Sequence, residues 1–437
     1  MIKAVKFGGS SLAEASQFKK VYDIIKSDPD RKYVVPSAPG KRFPEDIKVT
    51  DLLYKCYAEA KVNSDFTETL STIKERYDSI IKELELDLSL DEEFEIIKNK
   101  LRTETDADYA ASRGEYLNGM ILAKYLDYEF LDAASVIKFD KNGAFLDEET
   151  NVKLSKTLKD MDNAVIPGFY GSMPDGSVKT FSRGGSDITG SILARAIHAD
   201  VYENWTDVSG FKAADPRIVE GAKTIDIITY KELRELSYMG ASVLHESAIF
   251  PVRKEGIPIN IKNTNEPDAE GTLIVESTLH VPEHTLTGIA GRKGFAAVSI
   301  DKDMMNSEIG FGRKVLEVFE KNGLSFEHMP SGIDTMTVFV SMDDFISKEH
   351  QVIAQLHQAV SPDTIELEAD LSLIAVVGRG MKNGVGIASR VFTALAEAGI
   401  SIKMLDQGSS ELSIIIGIDD KHFEDAIRAI YKKFFTD

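Results

Sequence analysis

Residues 2–11 read IKAVKFGGSS, a short apolar stretch interrupted by lysine that runs directly into two glycines. The pattern predicts a buried strand, a turn over the glycines and serines, and an amphipathic helix over about residues 12–26. A second predicted strand, at residues 33–35, also ends in a turn, SAPG at residues 37–40. A strand, a glycine turn and a helix in this order are typical of an open α/β sheet, in which ligands bind at the carboxyl ends of the strands.

The alternation of strands and helices continues over most of the first 262 residues. Residues 58–105 are rich in Glu, Lys and Leu at helical spacing, which predicts a peripheral helical layer with a solvated face and no part in the chemistry. From about residue 110 onward, strands alternate with helices around glycine turns at NAVIPGFYG (163–171) and RGGSD (183–187). This order predicts an open, mostly parallel sheet with helices on both faces.

An internal repeat follows in the last third of the chain. Residues 310–344 align without a gap on residues 386–420, an offset of 76 residues that pairs Gly310 with Gly386. Each copy reads as a strand, a loop, a helix and two further strands, followed by another helix, so we predict two small α+β modules. The predicted domains are residues 1–286, 287–365 and 366–437.

The composition of the 437-residue chain argues against several classes of protein. With 51 Lys and Arg against 71 Asp and Glu, the net charge of −20 repels nucleic acid and anionic membranes, so neither is an expected partner. The first residues lack the long apolar stretch of a signal peptide and no apolar run reaches membrane-spanning length, so we expect a cytoplasmic location. The single cysteine, Cys56, cannot form an internal disulfide and is interpreted as a small, partly buried residue of a helix.

Two glycine turns carry residues that suit phosphoryl transfer to a carboxylate, a reaction between anions that needs cations and N–H donors more than a base. Lys6 precedes Gly8 and Gly9, so its ammonium can reach phosphates held by the turn and the next helix N-terminus; a surface lysine beside an ordinary turn is the alternative. The second turn supplies Arg183, whose guanidinium can hold a carboxylate at two points, and Asp187, which could also be only a helix cap. Neither turn matches the P-loop or the dinucleotide-binding fingerprint.

Taken in order, six motifs resemble those of the aspartokinases. They are KFGGSS (6–11), SAPG (37–40) with Thr50-Asp51 after it, SRGE (112–115), FSRGGSD (181–187), TDVSGFKAADPR (206–217) and GASVLH (240–245). The tandem repeat resembles the paired ACT modules of that family, so the resemblance covers nearly the whole chain. It implies an α/β fold with an amino-acid-kinase-type sheet, followed by two ferredoxin-like ACT modules.

The resemblance also implies a reaction. The γ-phosphoryl group of ATP, which arrives with Mg²⁺, would pass to the side-chain carboxylate of L-aspartate to give 4-phospho-L-aspartate. This is the first step toward lysine, threonine and methionine. Because no His or Cys cluster has metal-ligand spacing, no metal held by the protein alone is expected.

The resemblance implies catalytic, aspartate-binding and ATP-binding roles for individual residues. Lys6 is expected to balance phosphoryl charge and Asp187 to orient it, Arg183 to pair with a substrate carboxylate, and Glu115 to bind the substrate α-ammonium. The expected aspartate-binding residues are Ser37, Thr50, Glu115, Phe169, Arg183 and Ser186. The expected ATP-binding residues are Gly8, Gly9, Ser10, Thr206, Asp207, Lys212 and Arg217.

Departures from the family pattern affect the nucleotide and substrate sites. Ser242 in GASVLH stands where the family has a lysine that touches the nucleotide, and Lys212 or Lys262 is expected to supply the missing charge. Lys212 itself stands where many members have tyrosine. The loop between Gly40 and Thr50 is longer than the shortest family loops, so the place of Thr50 is less constrained than that of Ser37.

The first repeat copy is the predicted amino-acid sensor, at an interface between two chains. Its expected effector site comprises Met305, Gly310, Gly312, Ser325, Phe326 and Glu327. The carboxylate of Glu327 suits the amine of lysine, whereas the second copy has Lys403 at the matching place, which would repel it. The expected effector is lysine and/or threonine, and the expected assembly is a homodimer or homotetramer formed through the ACT modules. By resemblance, the glycines around Arg379 form the effector loop of the second module.

Two alternatives share part of this evidence. Kinases that act on acetylglutamate, glutamate or UMP have similar glycine turns, but the tandem repeat and the SRGE element argue against them. An amino-acid-sensing regulator with a degenerate kinase domain is favoured only by Ser242.

Overall fold

The computed structural model describes residues 1–103, 106–182, 184–241, 244, 248–278 and 284–436. The chain forms two compact units. The first consists of Met1–Phe211, Asp226–Tyr230 and Val243–Thr278, and the second of Lys212–Ile225, Lys231–Ser242 and Leu279–Asp437. The predicted domain boundaries after residues 286 and 365 stay predictions.

The strands of the first unit arise where the sequence predicted apolar segments between turns. In chain order they are β1 (Lys3–Phe7), β2 (Tyr33–Pro36), β3 (Glu129–Phe130), β4 (Ala164–Val165), β5 (Tyr170–Ser172), β6 (Val178–Thr180), β7 (Val201–Thr206), β8 (Ile227–Thr229), β9 (Ile259–Asn263) and β10 (Thr272–Val275). Apart from the β5–β6 hairpin, these strands make one eight-stranded sheet in the order β3-β4-β2-β1-β7-β9-β10-β8, within the described ranges. Every neighbouring pair is parallel except β9 and β10, which confirms the predicted mostly parallel sheet.

The strand order places the first glycine turn at a functional position. The chain leaves β1 toward β2 on one side and returns to β7 on the other, so the carboxyl end of β1 is a topological switch point. Crevices form at such points, because the connections leave the sheet on opposite sides. The turn beginning at Gly8 lies there.

Helices cover both faces of this sheet. Up to residue 255 the helices of this unit are α1 (Ala15–Lys26), α2 (Val49–Lys61), α3 (Thr67–Glu83), α4 (Asp91–Thr103), α5 (Ala107–Leu126), α6 (Ala133–Val136), α7 (Asp147–Leu158), α8 (Gly185–Ala196) and α10 (Phe250–Glu255). Helix α9 (Tyr230–Tyr238) belongs, apart from its first residue, to the second unit. Helix α1 buries the apolar residues predicted for it but begins at Ala15, because Ser10–Leu12 form a separate 3₁₀ turn. In the helical layer predicted over residues 58–105, the side chains of Ile73, Tyr77 and Phe94 face a common apolar core.

The second unit is an antiparallel sheet covered by helices. Its elements from residue 288 onward are β11 (Gly288–Asp301), α11 (Phe311–Lys321), β12 (Thr335–Ser341), α12 (Met342–Phe345), α13 (Glu349–Val360), β13 (Thr364–Val377), α14 (Ile387–Glu397), β14 (Met404–Asp406), β15 (Ser413–Asp419) and α15 (Phe423–Phe435). The strands pair in the order β12-β11-β13-β15-β14. The repeat is visible in the backbone, since Gly310 before α11 and Gly386 before α14 both have φ of +84°.

Two long strands are shared between the repeated modules. β11 and β13 pair from Gly288 opposite Val377 to Asp301 opposite Thr364, with register shifts between Arg292 and Ala297. The first part of β11 therefore lies beside the half of β13 that pairs with β15, and the last part lies beside β12. The order of the segments in the chain does not assign each strand to one module. None of the helices in the described ranges is long and apolar enough to cross a membrane.

Candidate active site

The side chains of Lys6, Asp187 and Asn204 lie together near the carboxyl end of β1. Lys6 on β1 and Asn204 on β7 are register partners, so their side chains lie next to each other on one face. Nζ of Lys6 lies 2.6 Å from Oδ1 of Asp187 and donates to Oδ1 of Asn204 at 3.4 Å. Nδ2 of Asn204 donates to the same Asp187 oxygen at 2.9 Å. Lys6 is 6% exposed, and its ammonium is held near the end of β1 by Asp187 and Asn204.

Asp187 takes its place from the start of α8. It is the third residue of this helix, where a carboxylate is favoured by the exposed N–H groups of the first turn. The hydroxyl of Tyr202 donates to the main-chain carbonyl of Asp187 at 3.1 Å. A Cβ on Gly190 would lie 2.4 Å from that hydroxyl oxygen, so only glycine allows this approach of helix and strand.

The turns after β1 and β2 are locked together by main-chain contacts. Gly8 N–H donates to the carbonyl of Trp205 at 2.9 Å, and Gly40 N–H donates to that of Gly9 at 2.8 Å. A Cβ on Gly9 would lie 2.9 Å from the carbonyl oxygen of Ala38, and one on Gly40 would lie 2.6 Å from the carbonyl carbon of Gly9. Both positions require glycine, because a side chain at either would separate the two turns.

A buried carboxylate faces these turns. Glu115 on α5 is buried, accepts a hydrogen bond from the main chain of Ala38, and has no hydrogen-bond partner for Oε2 among the described residues. Burial raises the pKa of Glu115 to about 7, although the Ala38 N–H and the charges of Lys6 and Arg113 oppose the shift. A buried acceptor without a donor is suited to a ligand that brings one, such as an ammonium group.

The predicted serines and the aromatic residue lie close together. Oγ of Ser37 is 2.7 Å from Oγ of Ser186, and Asn118 Nδ2 holds the carbonyl of Ser37 at 2.7 Å. Phe169 has φ of +80°, an unfavourable conformation held by a hydrogen bond from its N–H to Oγ1 of Thr189 at 3.0 Å. Ser37 directly follows β2, Ser186 lies in the first turn of α8, and Phe169 directly precedes β5 and lies against Gly185 of the same helix.

Other predicted residues lie elsewhere or are not described. Thr50 is in the first turn of α2, after the loop over residues 41–48. Arg183 and Ser242 lie outside the described residues. In the first unit, the hydroxyl of Thr206 donates to its neighbour Asp207 at 3.2 Å.

The last two predicted ATP-binding residues belong to the second unit. Nζ of Lys212 donates to the hydroxyl of Thr224 at 2.8 Å, and the exposed Arg217 pairs with Asp215 at 2.6 Å. Their assignment to ATP stays a prediction.

Of the two lysines expected to supply the missing charge, Lys262 lies on the opposite face of the sheet from Lys6, and Lys212 stays a prediction. Lys262 is the register partner of Trp205, so it projects from the face opposite to Asn204. Its ammonium donates to the carbonyl of Ala269 at 2.9 Å and lies over the Trp205 ring at 5.2 Å. Burial lowers the pKa of Lys262. Because side chains alternate between faces along a strand, Lys262 does not share the side of the sheet used by Lys6.

Sequence reasoning missed Asn204 and Asn118. The strand VYENWT contains a buried asparagine between aromatic residues, and such a side chain requires hydrogen-bond partners. That signal identifies a polar contact but not its partner, which depends on the pairing of β1 with β7. Asn118 gives the same signal on α5, where it is fully buried.

Metal and thiol chemistry have limited support from the side chains. Among the described residues no group of three or more His, Cys, Asp or Glu is arranged to hold a metal ion. Cys56 lies on a helix, α2, as expected, but it is fully rather than partly buried, and burial raises the pKa of its thiol to about 12. A thiol with such a pKa is not a nucleophile at neutral pH.

The predicted effector residues differ in exposure. Met305 is 6% exposed and packs in the apolar core of the first module, whereas Phe326 is 46% exposed. Gly310 has φ of +84°, and a Cβ on Gly312 would lie 3.2 Å from Cε of Met336. Met305 is therefore a core residue of the first module and Phe326 a surface residue, and the common effector site stays a prediction.

Charged residues near both module loops already have partners within the second unit. Glu327 accepts a hydrogen bond from the hydroxyl of Tyr238 at 2.5 Å, whereas Ser325 next to Phe326 is exposed. In the second module, Arg379 donates through its main-chain N–H at 2.9 Å and its guanidinium at 3.0 Å to the fully buried Glu232. The glycine loop of the second module therefore already binds a carboxylate of the same chain.

Comparison with known proteins agrees with these features. The sequence model of the Amino acid kinase family matches residues 1–263, and that of the ACT domain matches residues 374–434. Aspartokinase 3 of Bacillus subtilis is 41% identical over 450 residues, which span 100% of this chain and 99% of the relative. The crystal structure of Clostridium acetobutylicum aspartate kinase has 52% identity, a TM-score of 0.92 and coverage of 99% of both chains. Aspartokinase III of Escherichia coli, solved with aspartate and ADP, has the same fold at 23% identity, a TM-score of 0.73 and coverage of 99% of both chains.

The family match covers more than half of the chain and includes the strand, the glycine turns and the helix that bring Lys6 and Asp187 together. The bacterial relative extends the similarity through both repeated modules. The chain belongs to the amino acid kinase family and, within it, to the aspartokinases.

Proposed function

We propose that this chain catalyses ATP-dependent phosphorylation of the side-chain carboxylate of L-aspartate, giving 4-phospho-L-aspartate. The observation that carries the proposal is the Lys6 ammonium fixed by Asp187 and Asn204, beside a turn of glycines. The same unit also holds Glu115, whose Oε2 has no hydrogen-bond partner among the described residues. Lys6 and the glycine turn are suited to bind phosphate, and Glu115 is suited to bind the ammonium of an amino acid.

The phosphoryl-transfer half of the site needs positive charge. A carboxylate acceptor is already ionised at neutral pH, so no residue has to remove a proton from it. Lys6 supplies the charge next to Gly8, where a Cβ would lie only 3.5 Å from its ammonium. Asp187 and Asn204 keep that ammonium in place while negative charge develops on the phosphate oxygens, which makes the stabilisation preorganised.

The aspartate half of the site has to bind an ammonium and two carboxylates. Glu115 would accept the α-ammonium through its unpartnered Oε2, and Arg183 would pair with a carboxylate. The hydroxyls of Ser37 and Ser186, which lie 2.7 Å apart, would donate to carboxylate oxygens, with Phe169 beside them. Thr50 would close the pocket from α2.

The nucleotide would lie beyond the glycine turn. Gly8, Gly9 and Ser10 would face its phosphates, while the other predicted contacts are Thr206, Asp207, Lys212 and Arg217. Mg²⁺ would enter with ATP, bound to phosphate oxygens, and when present would neutralise part of the charge between the phosphates.

We further propose feedback inhibition by lysine and/or threonine at the first module, in a homodimer or homotetramer. Two groups would bind lysine: the carboxylate of Glu327, which accepts a hydrogen bond from the hydroxyl of Tyr238, would bind its amine, and the backbone of Gly310 at the start of α11 would bind its carboxylate. An amine that takes Glu327 has to compete with that hydroxyl.

The test is formation of aspartyl hydroxamate by the purified chain with aspartate, ATP, Mg²⁺ and hydroxylamine. We expect hydroxamate to form only when both aspartate and ATP are present. Acetylglutamate, glutamate and UMP serve as control acceptors, and their phosphorylation is measured by the release of ADP. A chain that binds lysine but forms no acyl phosphate would instead be a sensor with a degenerate kinase domain, the alternative that Ser242 favours.

A further inference from the structure

Arg76 is a buried cation in the helical layer that the sequence predicted to take no part in the chemistry. It lies on α3 and is 6% exposed. Burial lowers the pKa of its guanidinium, with the nearby charge of Asp46 opposing the shift, and Nε has no hydrogen-bond partner among the described residues. A buried charge is costly, and an aliphatic side chain would serve packing alone better.

The guanidinium of Arg76 binds three main-chain carbonyls from two loops. Nη1 donates to the carbonyl of Ile47 at 2.9 Å, and Nη2 donates to that of Gly40 and, at 3.4 Å, to that of Ala13. Gly40 and Ile47 are the two ends of the loop over residues 40–47, which lies within the connection between β2 and α2, and Ala13 follows the turn after β1. One side chain therefore joins both ends of one loop to the end of the other.

A second arginine completes the arrangement through a shared carboxylate. Oδ2 of Asp46 lies 3.4 Å from Nη2 of Arg76, and Arg42 binds Asp46 through Nε at 2.8 Å and Nη2 at 3.0 Å. The hydrogen bond from Arg42 holds the pKa of Asp46 well below its usual range, despite partial burial. The pairing is therefore charged at any pH near neutrality.

Packing does little to hold the same loop. A cavity of about 370 Å³ lies between the loop and α3, lined by Arg42, Asp46 and Arg76 among others. Phe43 and Ile47 are 53% and 51% exposed, so neither side chain anchors the loop in an apolar core. The contacts of Arg76 with Ile47, Gly40 and Asp46 connect this loop to α3.

The loop borders the proposed aspartate pocket at both ends. It begins three residues after Ser37 and ends three residues before Thr50. The N–H of Gly40, whose carbonyl Arg76 binds, donates to the carbonyl of Gly9 in the phosphate turn at 2.8 Å. A shift of the Gly40 peptide would therefore move both turns of the site.

We propose that Arg76 is a positioning residue for aspartate binding, which fixes Ser37 and Thr50 by holding Gly40 and Ile47. The proposal rests on the proposed function, because it concerns the aspartate pocket of the same reaction. It gives the outer helical layer a part in substrate affinity without contact with the substrate.

Steady-state kinetics of Arg76→Met and Arg76→Lys test the proposal, with Lys74→Met as the matched control. Lys74 lies on the same helix but pairs with Asp78 and Asp91 at the surface. Arg76→Met should raise the KM for aspartate by about tenfold or more, with smaller changes in kcat and in the KM for ATP. Arg76→Lys should recover part of the loss, and Lys74→Met should match the wild type.

An unchanged KM for aspartate in folded Arg76→Met, even with a lower Tm, would overturn the proposal in favour of a purely structural role. If that variant does not fold, Asp46→Asn replaces it. Asp46→Asn should raise the KM for aspartate and speed tryptic cleavage after Lys41, Arg42 or Lys48, and no change in both would equally overturn the proposal. If the wild-type protein forms no acyl phosphate, the proposed function is wrong. Faster cleavage of Asp46→Asn would in that case still show that the contacts of Arg76 and Asp46 hold the loop.

Discussion

The ammonium of Lys6 lies 2.6 Å from Oδ1 of Asp187, at the point where β1 ends and α8 begins. Lys6 is 6% exposed and its charge is paired within the first turn of a helix. The arrangement fixes the direction of the ammonium before any substrate binds. Preorganised charge of this kind is the main source of catalysis in phosphoryl transfer.

Lys6→Ala should lower kcat by about 10²-fold or more, because it removes the cation next to the glycine turn. The KM for aspartate should change little, since Glu115 and the serines remain. Hydroxamate formation under saturating substrates measures the effect. The control is Lys3→Ala, because Lys3 lies on the same strand as Lys6 but pairs with Asp28, which follows α1. A kcat within a few-fold of wild type would remove Lys6 from the catalytic group.

Asn204→Leu should lower kcat by about tenfold, because Asp187 loses a hydrogen-bond donor and the Lys6 ammonium loses an acceptor. Asn204→Asp should be worse, since it places a second carboxylate beside Asp187 and one of the two then favours protonation. Its activity should therefore depend on pH more steeply than that of the wild type. Asn265→Asp at the surface should behave as wild type, and equal activity in all three variants would contradict the role of Asn204.

Glu115 should give aspartate binding a pH dependence near neutrality. Its pKa of about 7 means that the carboxylate loses its charge as pH falls, so the KM for aspartate should rise from pH 8 to pH 6. Glu115→Gln should have a high KM that changes little over this range. Initial rates at several aspartate concentrations and pH values measure it, and an identical pH profile in both proteins would exclude Glu115 as the ammonium ligand.

The same residue should make folding less favourable as pH rises. Its pKa in the folded chain, about 7, exceeds the ordinary value of 4.5, so the unfolded chain releases the proton first. The contribution of Glu115 to the free energy of unfolding is fully present below pH 4.5 and is lost as pH rises to about 7, which amounts to about 3 kcal/mol for a shift of this size. Urea unfolding of wild type and Glu115→Gln across this range checks the difference, which should disappear below pH 4.5.

Lysine inhibition should respond in opposite directions to the two partners of one hydrogen bond. Glu327→Ala should weaken inhibition, because the amine loses its carboxylate. Tyr238→Phe should strengthen it, because the hydroxyl that now holds Glu327 at 2.5 Å no longer competes. Burial and Glu327 raise the pKa of Tyr238 to about 12, so the hydroxyl is a donor at neutral pH. Equal inhibition constants in both variants would exclude this site, and Lys403→Ala serves as the control on the second module.

Local patterns in the sequence determined the elements of the fold and the residues at their ends. The strand before Gly8, the helix after it and the repeat beginning at Gly310 follow from periodicity and from glycine, which act over a few residues. The same patterns placed Lys6 and Asp187 at the ends of elements where ligands bind. They determined the family as well, because the order of the motifs is a property of the chain.

Tertiary structure decided which of these residues meet. Asn204 reaches Lys6 across 198 residues because β1 pairs with β7 in one register, and the same register sends Lys262 to the other face. Arg76 reaches Gly40 because the fold places α3 within hydrogen-bonding distance of the loop, although the sequence around Arg76 predicts a solvated helix. Strand register and helix packing depend on contacts between distant segments, and no local pattern encodes them.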